Sequence, residues 1–117
     1  MSDIQRINPG KRMSDVVIHH GVAYFAGQVP DDASQDIEGQ TAQVLATIDK
    51  LLAEAGSDKS RILSAQVFLA NMVEFPGMNK AWDAWVAPGS TPARATIEAR
   101  LASPDLKVEI MVVAAVD

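Results

Sequence analysis

The sequence predicts an α+β domain of two layers, in which two helices cover one face of a mixed sheet of five or six strands. In the first and last thirds of the chain, residues that favour strands occur in short runs, and the apolar positions recur with a period of two. The middle carries two apolar stripes at helical spacing, with one more strand between them. The expected order is therefore β-β-β-α-β-α-β-β. No linker, repeat or low-complexity tract interrupts it, so residues 1–117 are expected to form a single domain.

The first three strands are short. One is predicted around residues 4–7, before a turn marked by Asn8-Pro9-Gly10. Val16, Val17 and Ile18 then begin a strand that ends near His19-His20-Gly21, and residues 22–26 are its hairpin partner.

The longest helix is predicted from Asp36 to Ala55. Ser34 or Asp36 can cap its start, and Gly56 suits the left-handed position just beyond its end. A strand over about residues 62–69 follows. The apolar stripe of the helix consists of Ile37, Thr41, Val44, Leu45, Ile48, Leu51, Leu52 and Ala55.

A second helix follows residues 71–76, and Pro88-Gly89-Ser90 ends it. Asn79, Lys80 and Asp83 lie on its other faces, so the helix packs on one side only. Its apolar stripe consists of Phe75, Met78, Trp82, Trp85 and Val86.

Two strands close the chain. In the first, Ala95, Ile97, Ala99 and Leu101 are expected to face the core, which leaves the alternate residues, Arg94 among them, on the open face of the sheet. The last strand, residues 107–115, is apolar on both of its faces. A single core in a chain of 117 residues cannot cover both faces, so the second face is a candidate subunit interface.

The composition reduces the number of function classes that fit the chain. The formal charge of −5 gives only weak electrostatic support for binding nucleic acid, although it still allows a local basic pocket. The chain has no cysteine, which excludes disulfides and thiolate chemistry and fits a reducing compartment. We find neither the pattern of a signal peptide at the N-terminus nor an apolar run long enough for a membrane span, so a cytoplasmic protein is expected.

Two charged residues are candidates for chemistry. Arg94 follows Pro92-Ala93 at a strand entrance, where its guanidinium can bind a carboxylate or phosphate, although an exposed or ion-paired arginine fits the spacing as well. Glu109 lies in an apolar strand and is either an acid–base group or the partner of Lys107, Arg94 or Arg100 in a salt bridge.

Metal and cofactor chemistry has little support in the sequence. His19 and His20 are the only histidines, and as neighbours on a strand they are expected to point to opposite faces. No metal site is therefore predicted. No glycine-rich phosphate loop is present, and no cofactor is expected.

Four segments together resemble the RidA (YjgF) family of reactive enamine and imine deaminases. They are residues 22–30, 67–79, 92–94 and 107–110, which read VAYFAGQVP, VFLANMVEFPGMN, PAR and KVEI. The similarity covers almost the whole chain in the family's order, and the combination of the four segments is more specific than any one of them.

The resemblance implies a chorismate-mutase-like fold, a homotrimer with clefts between neighbouring subunits, and hydrolysis of 2-imino acids to 2-oxo acids and ammonia without cofactor or metal. Such activity is that of a 2-iminobutanoate/2-iminopropanoate deaminase, which removes reactive metabolites released by pyridoxal-phosphate enzymes. Arg94 matches the family residue that binds the substrate carboxylate, and Glu109 matches the one that positions the water. The fifteen-residue separation between them is also similar to that of the family.

Three expected substrate-binding positions depart from the pattern, while Gly27 keeps the family's glycine. Met13 stands at the position of a tyrosine, Ala26 at that of a serine, and Thr96 at that of a cysteine. The first alternative is therefore a trimer that binds or senses small carboxylates without chemistry. A ribonuclease role, attributed to some relatives, conflicts with the acidic charge. A chorismate mutase would need more cationic groups than Arg94 and Arg100 supply.

Overall fold

The computed structural model describes residues 3–117 and has the predicted element order. Met1 and Ser2, which belong to the N-terminal segment without a signal-peptide pattern, lie outside the described residues. The strands and helices are β1 (Gln5–Ile7), β2 (Val16–His19), β3 (Val22–Phe25), α1 (Ile37–Glu54), β4 (Ile62–Leu69), α2 (Phe75–Trp85), β5 (Ala93–Glu98) and β6 (Val108–Ala115).

Residues 3–117 contain one six-stranded sheet with the order β1-β2-β3-β6-β4-β5. β4 and β5 run parallel and every other neighbouring pair is antiparallel, so the sheet is mixed. β6 lies between β3 and β4, at the centre of the sheet. Both helices cover the same face, and the predicted two-layer α+β architecture is confirmed.

The core lies between the helices and the covered face of the sheet. Every second residue of β6 is buried there, and so is every second residue of β4 from Ala65 onward, after a register shift between Ile62 and Ser64. The other face of β6 is half-buried in the single chain. The largest fully buried side chains are Leu45, Ile48, Leu52, Leu69, Met78, Ile110, Gln40, Val16, Val44, Val67, Val108 and Val112.

Helix α1 begins and ends at the predicted signals. The carboxylate of Asp36 accepts a hydrogen bond of 2.8 Å from the backbone N–H of Gly39. Gly56 has a φ of +79°, and the Ser57 N–H donates to the carbonyl of Leu52 at 2.8 Å, which closes the last turn.

No pattern in the sequence predicts the burial of Gln40. This side chain of α1 is fully buried, and its amide donates to the carbonyls of Ala33 and Asp105, both at 3.0 Å. Its carbonyl accepts from the backbone N–H of Lys107 at 2.9 Å. Gln40 therefore fastens α1 to the loop that leads into β6.

Helix α2 packs on α1 and the sheet through the predicted stripe. Met78 and Trp82 are buried, and Phe75, Trp85 and Val86 pack against the core. The indole N–H of Trp85 donates to Asp49 of α1 at 2.9 Å, which fixes the two helices to each other. Among the described residues no helix is long and apolar enough to cross a membrane.

Strand β5 differs from the prediction in its length and its orientation. It ends at Glu98 rather than Leu101, because β4, its partner, ends at Leu69. Arg94 pairs with Ala65, which is 2% exposed on the covered face. Arg94 and Thr96 therefore face the helices, whereas Ile97 is 51% exposed on the open face. The predicted orientation was wrong, because the alternation fixes which residues share a face but not which face is covered.

The hairpin of β2 and β3 corrects the expectation for the histidines. Its two-residue turn is His20-Gly21, and both residues have positive φ, +50° and +77°. This is the geometry of a type I′ turn, which takes His20 out of the strand alternation. The rings of His19 and His20 lie 3.9 Å apart, centroid to centroid, instead of on opposite faces.

Candidate functional site

Arg94 projects from β5 onto the aromatic side chains of α2. Its guanidinium carbon lies 4.9 Å from the ring centroid of Trp82 and 5.8 Å from that of Phe75. One guanidinium nitrogen is 3.9 Å from the sulfur of Met78. These are cation–π and sulfur contacts, which hold the side chain in place and leave its strongest donors free for an anion.

The charge of Arg94 has no carboxylate partner within 4 Å among residues 3–117. Partial burial lowers the pKa of the guanidinium, and the carboxylate of Asp83 opposes this shift. An arginine remains protonated at neutral pH even so. The structure thus holds a partly desolvated cation that no ion pair within the described chain neutralises, and neither the exposed nor the ion-paired alternative for Arg94 applies.

Thr96 stands two residues from Arg94 on the same face of β5. Its hydroxyl oxygen is buried and has no hydrogen-bond partner within residues 3–117. Buried hydroxyl groups are usually paired, so this oxygen is available to a ligand or a water molecule. Arg94 and Thr96 together form the cationic part of the candidate site.

Glu109 lies against the backbone of Gly27. A β-carbon on Gly27 would overlap one carboxylate oxygen of Glu109 and lie 2.9 Å from its carboxyl carbon. Glu109 is half-buried on the open face of β6 and makes no salt bridge with a described residue. Gly27 is therefore required for the close approach of the carboxylate.

The segment that carries Gly27 is fixed on both sides. Gln28 exchanges two backbone hydrogen bonds with Ile110, at 2.8 and 3.0 Å, which continues the sheet beyond β3. The N–H of Ala26 donates to the carbonyl of Asp15 at 2.9 Å. Ala26, Gly27 and Glu109 are thereby held together as the carboxylate part of the candidate site.

Met13 lies in the loop between β1 and β2, and its side chain is 63% exposed. Its backbone carbonyl accepts a hydrogen bond of 2.7 Å from Gly10. The predicted pocket role of Met13 stays a prediction.

Arg94 and Glu109 stand on opposite faces of the sheet. Arg94 pairs with Ala65 of β4, and Glu109 pairs with Phe68 of the same strand. Ala65 and Phe68 are three residues apart, so their side chains and those of their partners point in opposite directions. One chain therefore does not bring the two predicted catalytic residues into one pocket.

The open face carries a shallow groove of about 500 Å³ over β4, β5 and β6. It is lined by Ser64, Ala65, Gln66, Ala93, Arg94, Ala95, Met111 and Val113. Tyr24 and Ile97, each 51% exposed, stand on the same face. This surface has the character expected for contact with another protein chain.

The aromatic setting of Arg94 was missed at the level of sequence. Phe75 and Trp82 were read as parts of the core stripe of α2, which they are. Phe75 and Trp82 are seven residues apart and so lie on one face of the helix. The following strand carries Arg94, and this sequence of an aromatic helix face and an arginine is the signal that could have predicted their contact.

Fold and site define a class of protein: a two-layer α+β domain that presents an unpaired arginine beside a helix and a carboxylate beside a glycine. The family model described as "Endoribonuclease L-PSP" matches residues 3–116. A RutC family protein of Haemophilus ducreyi is 58% identical over 114 residues, which are 97% of each chain. The chain therefore belongs to this family, which is also called RutC, YjgF or Rid.

Solved structures of the family share the fold. A YjgF family member from Neisseria meningitidis superposes with a TM-score of 0.96 at 45% identity, covering 98% of this chain and 96% of that one. A Rid family protein of unknown function from Yersinia pestis superposes with a TM-score of 0.84 at 31% identity. The match covers 92% of this chain and 90% of that one. The chorismate-mutase-like fold that the resemblance implied is thus confirmed.

Proposed function

We propose that this protein hydrolyses reactive 2-imino acids to 2-oxo acids and ammonia in the cytoplasm. The observation that carries the proposal is the guanidinium of Arg94, which is partly buried, oriented by Trp82 and Phe75, and not paired with a carboxylate of the described chain. Such a group fits a small anion better than it fits a structural role.

In the proposed complex, Arg94 binds the substrate carboxylate through two parallel hydrogen bonds. This contact fixes the neighbouring C=N carbon relative to the protein. The unpaired hydroxyl of Thr96 lies on the same face and is placed to bind a second polar atom of the substrate. Neither contact needs a cofactor, because the imine carbon is electrophilic by itself.

Glu109 performs the proton transfers in this proposal. Its carboxylate takes a proton from water as the water oxygen forms a bond to the imine carbon. It returns this proton to the nitrogen, which completes the carbinolamine. Glu109 then carries the hydroxyl proton to the same nitrogen as the C=O bond forms and the C–N bond breaks, so that neutral ammonia leaves. The products are a 2-oxo acid and ammonia. Imines also hydrolyse in water, so a sparse site is chemically sufficient.

A site that uses both residues takes Arg94 from one copy of the chain and Glu109 from another, because the two lie on opposite faces of the sheet. We propose a homotrimer with three such clefts between neighbouring subunits. The exposed Tyr24 and Ile97 and the groove on the open face support a contact between copies there.

The activity is tested by generating imines of several amino acids with an amino acid oxidase or a dehydratase. Ammonia and 2-oxo acid release are then followed with and without the protein. Faster release that saturates with substrate supports the proposal, and spontaneous rates at micromolar protein contradict it.

A trimer that only binds small carboxylates is the second candidate, because Met13, Ala26 and Thr96 alter the polar groups of the expected pocket. Titration with a stable 2-oxo acid separates the two functions. Binding that Arg94→Ala abolishes, together with no acceleration of imine hydrolysis, favours the binding protein.

The family description names an endoribonuclease, yet the charge of −5 gives RNA no electrostatic attraction to this chain.

A further inference from the structure

We propose that Asp3, His19 and His20 form a binding site for a zinc-like divalent metal ion at one end of the sheet. The cluster lies at the β2–β3 hairpin. One ligand atom from each residue can be chosen so that all three lie within 4.8 Å of one another. The site is separate from the proposed imine chemistry and uses none of its residues.

The backbone brings the two imidazoles together. His19 is the last residue of β2, and His20 occupies the first position of the type I′ turn. The positive φ of His20 places its ring against that of His19 rather than across the sheet. Adjacent residues in an ordinary strand could not share one metal ion.

Asp3 supplies the third ligand atom. Its carboxylate oxygen lies 3.0 Å from Nδ1 of His19. That nitrogen is buried and forms no hydrogen bond of acceptable geometry within residues 3–117, despite the short distance. Nδ1 of His19 and the Asp3 carboxylate oxygen therefore already lie at about the separation of two ligands of one ion.

The ligand set selects the class of metal. Two imidazoles and one carboxylate suit Zn²⁺ and its neighbours in the first transition series, whereas Ca²⁺ and Mg²⁺ prefer oxygen ligands alone. Ligand atoms around tetrahedral zinc lie about 3.3 Å apart, as follows from bonds of about 2.0 to 2.2 Å. Asp3 and His20 are exposed, so small rotations of their side chains close the present arrangement around an ion. Water would complete the coordination.

The test is calorimetric titration of ZnCl₂ into full-length protein that has been treated with EDTA and dialysed. We expect one zinc ion per chain for the wild type, and no binding of Ca²⁺ or Mg²⁺. Titration with CoCl₂ gives a second readout, since coordination by imidazole nitrogen produces visible absorption bands that free aqueous cobalt lacks.

His20→Asn is the decisive variant. Asparagine tolerates positive φ, and Asn-Gly is a favoured type I′ turn, so the hairpin is kept while the imidazole is removed. Zinc affinity should fall at least about tenfold, as it should for His19→Gln, because each loses a ligand. Asp31→Asn, an exposed change outside the cluster, should have no effect.

Two results would overturn the site: no zinc binding by the wild type at millimolar metal, or equal affinity of the wild type and His20→Asn with the fold confirmed by circular dichroism. Imine hydrolysis should be the same for the wild type and His20→Asn. Failure of the deaminase assay and failure of the metal site are therefore separate outcomes.

Discussion

The environment of Arg94 combines partial burial with the absence of an ion pair among the described residues. The side chain is partly desolvated, it rests on Trp82 and Phe75, and no carboxylate of the described chain pairs with it. Desolvation without an ion pair costs stability, and an anionic ligand would recover that cost. The contacts with Trp82 and Phe75 also restrict the side chain before binding, so the loss of conformational entropy when it binds a substrate carboxylate is smaller.

Arg94 and Glu109 should fail differently when they are substituted. Arg94→Ala should remove both carboxylate binding and acceleration, because a charge-assisted bidentate contact is worth on the order of 2–5 kcal/mol. Arg94→Lys should restore little of this binding and activity relative to Arg94→Ala, since an ammonium lacks the planar pair of donors. Glu109→Gln should keep most of the binding and lower turnover. Steady-state kinetics and 2-oxo acid titration measure the two effects. Wild-type activity of an intact Arg94→Ala protein would refute the assignment.

Gly27→Ala should reproduce the loss of turnover seen with Glu109→Gln. The new methyl group would occupy the place of the Glu109 carboxylate, so the side chain must rotate away. Stability should change little, because the displaced atoms belong to the end of a flexible side chain. The double variant Gly27→Ala with Glu109→Gln is the matched control. If Gly27 acts through Glu109, the second substitution adds no further loss, whereas additive losses would show an independent role.

Met13 is the residue whose role depends most on assembly, since its side chain is 63% exposed in the single chain. If it lines the pocket at the family's tyrosine position, the wild type should prefer longer and more apolar imino acids. Met13→Tyr should then shift the preference toward the imines of alanine and serine. Relative kcat/KM values over a substrate panel measure this shift, and an unchanged ranking would place Met13 outside the pocket.

At the scale of elements, Gln40 connects helix α1 to the loop before β6. Replacement by leucine keeps the volume but leaves the Lys107 N–H and the Asp105 carbonyl without their buried partner. We expect Gln40→Leu to lower the free energy of unfolding by about 2–4 kcal/mol. Urea denaturation at a fixed chain concentration measures it. Gln43→Leu, on the same helix but with one hydrogen bond to Asp32, should cost less than about 1 kcal/mol. Equal losses would contradict this role of Gln40.

The elements themselves were largely predictable, because each one carries local signals. The apolar stripe and both ends of α1, the bounds of β4 and the order of all eight elements follow from periodicity, caps and turn residues. The covered face of β5 did not follow, since period two is symmetric between faces and only pairing with Ala65 decides it. The burial of Gln40 and the contact of the two histidines also depend on tertiary pairing and on one positive φ.

At the scale of the whole molecule, the open face of the sheet is a candidate contact surface between copies of the chain. It carries Glu109, the shallow groove over β4, β5 and β6, and the exposed side chains of Tyr24 and Ile97. We expect a homotrimer. Light scattering coupled to size exclusion should give about three times the chain mass of 12.5 kDa. A monodisperse monomer at micromolar concentration would contradict both the trimer and the shared site.

Sharing of the site between copies can be tested by mixing two inactive variants. Arg94→Ala supplies an intact Glu109, and Glu109→Gln supplies an intact Arg94. If each cleft takes Arg94 from one copy and Glu109 from the next, equal amounts unfolded and refolded together should yield about a quarter of the clefts with both groups intact. Imine hydrolysis should recover to roughly that fraction of the wild-type rate, whereas each variant refolded alone stays inactive. A mixture of Arg94→Ala with the Arg94→Ala, Glu109→Gln double variant should also stay inactive. No recovery from refolded mixed trimers, shown by mass spectrometry to contain both variants, would refute a site that combines Arg94 of one copy with Glu109 of another.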